Sequence, residues 1–141
     1  MTKKQALSLL KKIEKKLKDF SPALYGSISF DVIDDYNGQH GNRSYCYALN
    51  TYKRTWIYIN LRSIETFDDF VQSVAHELSH ALCIHFEHYN DVITKLIPDS
   101  SIASMHTLFN QVSESFVDDA SEFIEFWIKS TLQSKKTAAS K

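Results

Sequence analysis

The sequence predicts an α+β fold in a single domain, ordered helix, three strands, helix, helix. Three observations carry that expectation. Apolar residues recur at helical spacing near both ends of the chain and through its middle. Between residues 27 and 61 the pattern changes to short β-branched and aromatic runs. Only three Gly and two Pro interrupt 141 residues, too few for the dense turns of an all-β sandwich.

In the first helix, residues 3–20, Ala6, Leu9, Leu10, Ile13, Leu17 and Phe20 share a face and lysines occupy the other. Ser21-Pro22 stops it, because a residue before proline is pushed out of the α region. Residues 27–33 alternate with period two, placing Ile28, Phe30 and Val32 on one side of a half-buried strand. Residues 34–42 hold two of the three glycines and read as a loop. Residues 44–49 and 55–61 read as a hairpin, so the sheet is small, three-stranded, and antiparallel or mixed.

Thr66 followed by Asp69 is a capping-box-like helix start. Phe67, Phe70, Val71, Val74, Leu78 and Leu82 then keep helical spacing through about Ile84, and a polar stretch ends at Pro98. Ser101 or Ser104 is expected to cap a long last helix. Its buried face is expected to comprise Phe109, Val112, Phe116, Ala120, Phe123, Ile124 and Trp127. The domain is expected over residues 1–133, with 134–141 (SKKTAASK) a disordered tail.

A hydrophobic fraction of 43% excludes an intrinsically disordered chain. No apolar run approaches the ~20 residues of a membrane span, and no signal peptide is recognisable, so a cytoplasmic protein without a membrane partner is expected. Cys46 and Cys83 form no disulfide framework and no C-x-x-C pair. The net charge of −1 divides unevenly: residues 1–18 carry seven Lys against Glu14, and the remainder is acidic. A nucleic-acid partner is not favoured, since this one basic helix is the only hint of it and reads as a solvated face.

His76-Glu77-Leu78-Ser79-His80 is H-E-x-x-H inside an expected helix. Residues 76 and 80 lie one turn apart on the same side, so their imidazoles can take two positions around a zinc ion. Glu77 points about 100° away, toward a metal-bound water rather than the metal, the place of a general base. Val71, Val74, Leu78 and Leu82 anchor the opposite face.

The stretch 57–62 (IYINLR) followed by 70–82 (FVQSVAHELSHAL) resembles the strand-to-active-helix unit of the zincin metallopeptidases. It is especially similar to small SprT-like, ImmA/IrrE-type and phage-borne members. The resemblance implies Zn²⁺ binding and hydrolysis of a peptide or protein substrate on a minimal zincin-like fold. It also implies that the strand over 55–61 forms the upper edge of the cleft. Cys83 and Phe86 stand where the metzincin pattern requires Gly and His, which excludes that subgroup. Residues 112–118 (VSESFVD) resemble the gluzincin Glu-x-x-x-Asp pattern, implying Glu114 as third ligand and Asp118 as a support for a ligating histidine. Ser113, in place of the usual Asn, and the 33 residues between His80 and Glu114 depart from that pattern.

His106, His88, Asp118 and Glu122 remain rival third ligands. His85, His88, Tyr89 or His106 could stabilise a developing oxyanion, and His40 could overhang the cleft. Trp56, Tyr58 and Trp127 read as core or sheet-face aromatics. The functional alternative to a peptidase is a zincin-like zinc-binding module without turnover, serving regulation or protein interaction. Oligomeric state is left open by the sequence.

Overall fold

Thr2 and Gln5 open the first helix as a reciprocal capping box: the Thr2 amide donates to Gln5 Oε1 at 2.9 Å and the Gln5 amide to Thr2 Oγ1 at 3.3 Å. The computed structural model describes residues 1–20, 28–34, 44–49, 54–96 and 98–133, with the side chains at 20, 48, 49, 84–92 and 133 outside that description. Helix α1 spans Lys3–Phe20, and strands β1, β2 and β3 span Ile28–Ile33, Tyr45–Leu49 and Arg54–Asn60. A short 3-10 turn, Leu61–Ser63, leads to helices α2 (Phe67–Thr94) and α3 (Asp99–Gln133). The fold is therefore α+β, in the expected order. The expected tail at 134–141 and His40 lie outside the described residues.

The sheet order is β1-β3-β2, with β1 parallel and β2 antiparallel to β3. Period-two alternation sends Thr55, Ile57 and Ile59 of β3 inward with Ile28 and Val32 of β1, all buried. Trp56 and Tyr58 point to the other side, where Tyr58 stacks on Tyr45 at 4.8 Å and Trp56 lies 6.1 Å from Tyr47. These are directly opposed residues in the β2–β3 ladder, the pairs that stabilise a hairpin. Helix α1 packs on β1, α2 on β2 and β3, and α3 along α2 with a further contact to α1. Leu10, Ile13, Ile57, Ile59, Phe70, Val71, Val74, Leu78 and Ile128 form the centre of the core. Trp127 packs against it.

Helix α2 starts where expected. The Asp69 amide donates to Thr66 Oγ1 at 3.1 Å, and the Thr66 amide returns to Asp69 Oδ2 at 2.8 Å. The Thr66 amide foremost, and then the Thr66 side chain, hold the Asp69 carboxyl below its ordinary value of 3.8. The helix then runs to Thr94, ten residues past the expected end at Ile84. The polar letters at 85–91 include neither Gly nor Pro, so nothing breaks propagation until Pro98.

Helix α3 begins at Asp99, directly after Pro98, whose carbonyl accepts the Ser101 amide at 2.9 Å. Ser101 and Ser104 lie within its first turns rather than capping it. Its buried face also differs from the expected one. Val117, Ile124 and Ile128 are buried, whereas Val112, Phe116 and Phe123 are exposed. This helix carries two apolar stripes, and periodicity alone cannot tell which of them meets the core.

Candidate metal centre

Helices α2 and α3 run antiparallel, and their register builds the site. Near one end Lys129 of α3 bonds Asp68 of α2 at 2.9 Å and Glu125 of its own helix at 2.7 Å. From that tie, one helix ascends as the other descends. His76 therefore meets Asp118, and the turn holding His80 meets Glu114. Thirty-three intervening residues are spanned by two helix arms and a tight turn, which is why ligands remote in sequence become neighbours.

His76 Nε2 and His80 Nε2 lie 3.2 Å apart, with the rings at 80° to one another. Two nitrogens bound to one tetrahedral zinc at ~2.0–2.1 Å are separated by ~3.3 Å, so the pair already has the spacing of one tetrahedron edge. A carboxylate oxygen of Glu114 completes a group whose ligand atoms all lie within 4.8 Å of one another. Glu114 is exposed, so packing does not fix its rotamer. Among the described residues, these three side chains form the one His/Cys/Asp/Glu group of that kind. Burial, and secondarily the neighbouring His76, lower the His80 pKa, so its imidazole is neutral and available as a ligand near pH 7.

Asp118 stands behind the pair. Its Oδ1 is 4.0 Å from His76 Nδ1, the ring nitrogen opposite the one in the cluster. At that distance the carboxylate lies on the Nδ1 side of the ring but beyond hydrogen-bond reach. The other rivals fall elsewhere. His106 is exposed and eight residues before Glu114, about 12 Å along the axis, and Glu122 is exposed one turn beyond Asp118. The side chains of His85, His88 and Tyr89 lie outside the described residues.

Glu77 is buried, with 6% of its surface accessible. Burial foremost, then the repulsion of Glu114, raises its pKa from 4.5 to about 7, opposed by a hydrogen bond from the Cys46 backbone amide. A carboxyl poised near neutrality beside a His/His/Glu cluster has the properties of a general base.

The Cys46 contact is a feature that residue patterns did not reveal. It belongs to β2, which forms an edge of the described sheet, whereas β3 is central between β1 and β2. The strand expected to form the cleft edge, 55–61, is therefore the central strand of the described sheet. Strand order is a non-local property, and the hairpin pattern is the same whichever strand β1 joins. Buried Asn60 fixes the passage from β3 toward α2: its Oδ1 accepts the Arg62 amide at 3.1 Å and its amide donates to Ser44 Oγ at 3.1 Å.

No helix among the described residues is long and apolar enough to cross a membrane. Compared with protein families, curated proteins and solved structures, the chain has no match.

Proposed function

We propose that the chain is a zinc-dependent metallopeptidase in which His76, His80 and Glu114 hold the metal. The observation that carries this reading is the 3.2 Å separation of the two Nε2 atoms, with Glu114 closing the group. Two imidazoles and one carboxylate are a donor set suited to catalytic zinc, three protein ligands leaving a fourth position open. Zinc held there supplies a Lewis acid that polarises a peptide carbonyl and lowers the pKa of water toward ~7.

The rest of the chemistry belongs to the chain. Glu77 accepts a proton from the attacking water at its carboxylate and donates it to the departing amine. Asp118, on the Nδ1 side of His76, would support that ring by accepting its Nδ1 proton if the two close to hydrogen-bond distance.

The test is hydrolysis of a mixed peptide library by the zinc-loaded chain, read by mass spectrometry, alongside Glu77→Gln. Activity should fall by at least ~10²-fold in the variant while zinc content stays the same. Stoichiometric zinc with no turnover in the unaltered chain would favour the binding module instead.

A further inference from the structure

We propose that the outward face of α3 is a self-association surface that pairs two copies of this chain antiparallel about a two-fold axis. Leu108, Val112, Phe123 and Phe126 are 57%, 62%, 75% and 72% exposed. At about 100° per residue they fall on one stripe with Asp119, with Phe116 at its margin. The centre of that stripe is roughly 140° from the buried face of Val117, Ile124 and Ile128, and about as far from Glu114 and Asp118. It is a surface separate from the metal centre, and pairing through it leaves that centre open.

The stripe is complementary to itself. Its first half contains a shallow depression of about 360 Å³ lined by Leu108, Gln111, Val112, Ser115, Phe116 and Asp119. Its second half carries the two protruding rings, Phe123 and Phe126. An antiparallel pair centred between residues 117 and 118 sets Phe123 of each copy against Val112 of the other. The same register sets Phe126 against Leu108 and Asp119 against Phe116. Each copy's rings then enter the other's depression, the reciprocity an isologous two-fold contact requires. The same register sets Glu122 against the rim at residues 111–115 and brings the two copies of Asp119 to about 4.5 Å of one another along the axis at the two-fold, so added salt, by screening that pair, should strengthen the dimer.

The area suffices. The five exposed apolar side chains present on the order of 600 Å², at the upper limit of the largest patch on an ordinary monomer. Two copies would bury about 1,200 Å² from these residues alone, the lower bound of a standard-size interface. Area alone does not set affinity, so self-association is sought over about 1–100 μM.

Sedimentation velocity of the full chain should show a species of twice the 16.3 kDa chain mass as concentration rises through that range. Phe123→Glu/Phe126→Glu should remain monomeric, with an unchanged helical circular dichroism spectrum and unchanged zinc content. In a Cys46→Ser background, a mixture of Val112→Cys and Phe123→Cys chains should yield the mixed disulfide. Val112→Cys alone should not cross-link, because the two copies of residue 112 would lie roughly 16 Å apart along the axis. A wild-type chain that stays monomeric to about 100 μM overturns the proposal and assigns the stripe to a different molecule. A dimer untouched by the double substitution, or one that cross-links through residue 112 to itself, overturns it as well.

Discussion

Replacing Glu77 by Gln should stabilise the metal-free chain while abolishing its chemistry. The folded chain holds the Glu77 proton up to about pH 7, whereas the unfolded chain releases it near 4.5. Between those values unfolding releases a proton, so stability falls as pH rises through the window and the loss is complete above about 7. The gap corresponds to about 3 kcal/mol, set first by burial and then by the Glu114 carboxylate. Gln fills nearly the same volume, still accepts the Cys46 amide through its carbonyl oxygen, and carries no charge to desolvate. For a chain of this size the gain at pH 8 should raise Tm by about 10 °C, and at pH 4.5 the two proteins should melt together. The assay is thermal or urea unfolding of both chains with chelator present, from pH 4.5 to 8; the difference between them isolates this group from every other titration. Equal stability at pH 8, or a variant less stable than the parent, would refute the view that Glu77 is held at a stability cost.

Competitive zinc titration should order three α3 variants. Glu114→Ala should lose more than ~10²-fold in affinity, Asp118→Ala about 10–100-fold, and His106→Ala no more than a few-fold. Ile128→Ala should cost about 2–5 kcal/mol of unfolding free energy, as expected for a fully buried side chain. Phe123→Ala, measured by the same urea titration of dilute monomer, should change it by less than about 0.5 kcal/mol. The reverse order would restore the face expected from the sequence. Asp69→Asn should remove a part of the acid sensitivity of α2. The stabilisation from the depressed carboxyl is present above its ordinary value of 3.8 and lost as pH falls below it, so the parent and variant curves should converge at low pH.

Much of the layout could be read from local pattern because its causes are local. Thr66 and Asp69 announce the start of α2 by chemistry confined to four residues. The alternation of Ile28, Phe30 and Val32, and the i, i+4 placement of His76 and His80, depend only on backbone periodicity. The unread features depend on which elements meet. Strand order is set by which strands pair, and β3, pairing with both β1 and β2, is the centre rather than the edge. The Cys46 amide reaches Glu77 because β2 lies beside α2, a relation no spacing encodes. Helix α3 has apolar residues at both Val117 and Phe123, which point in different directions. Only the choice to turn Glu114 and Asp118 toward α2 decides that Val117 goes in and Phe123 stays out.

The central claim is that His76, His80 and Glu114 converge on one zinc ion. Anomalous diffraction at the zinc edge from crystals of the zinc-loaded chain tests it most directly. One peak per chain is expected, about 2.0–2.2 Å from His76 Nε2, His80 Nε2 and a Glu114 carboxylate oxygen, with a water in the fourth position. A peak bound to the two histidines but not to Glu114, or one closed by four protein ligands, would contradict the assignment of a three-ligand catalytic centre.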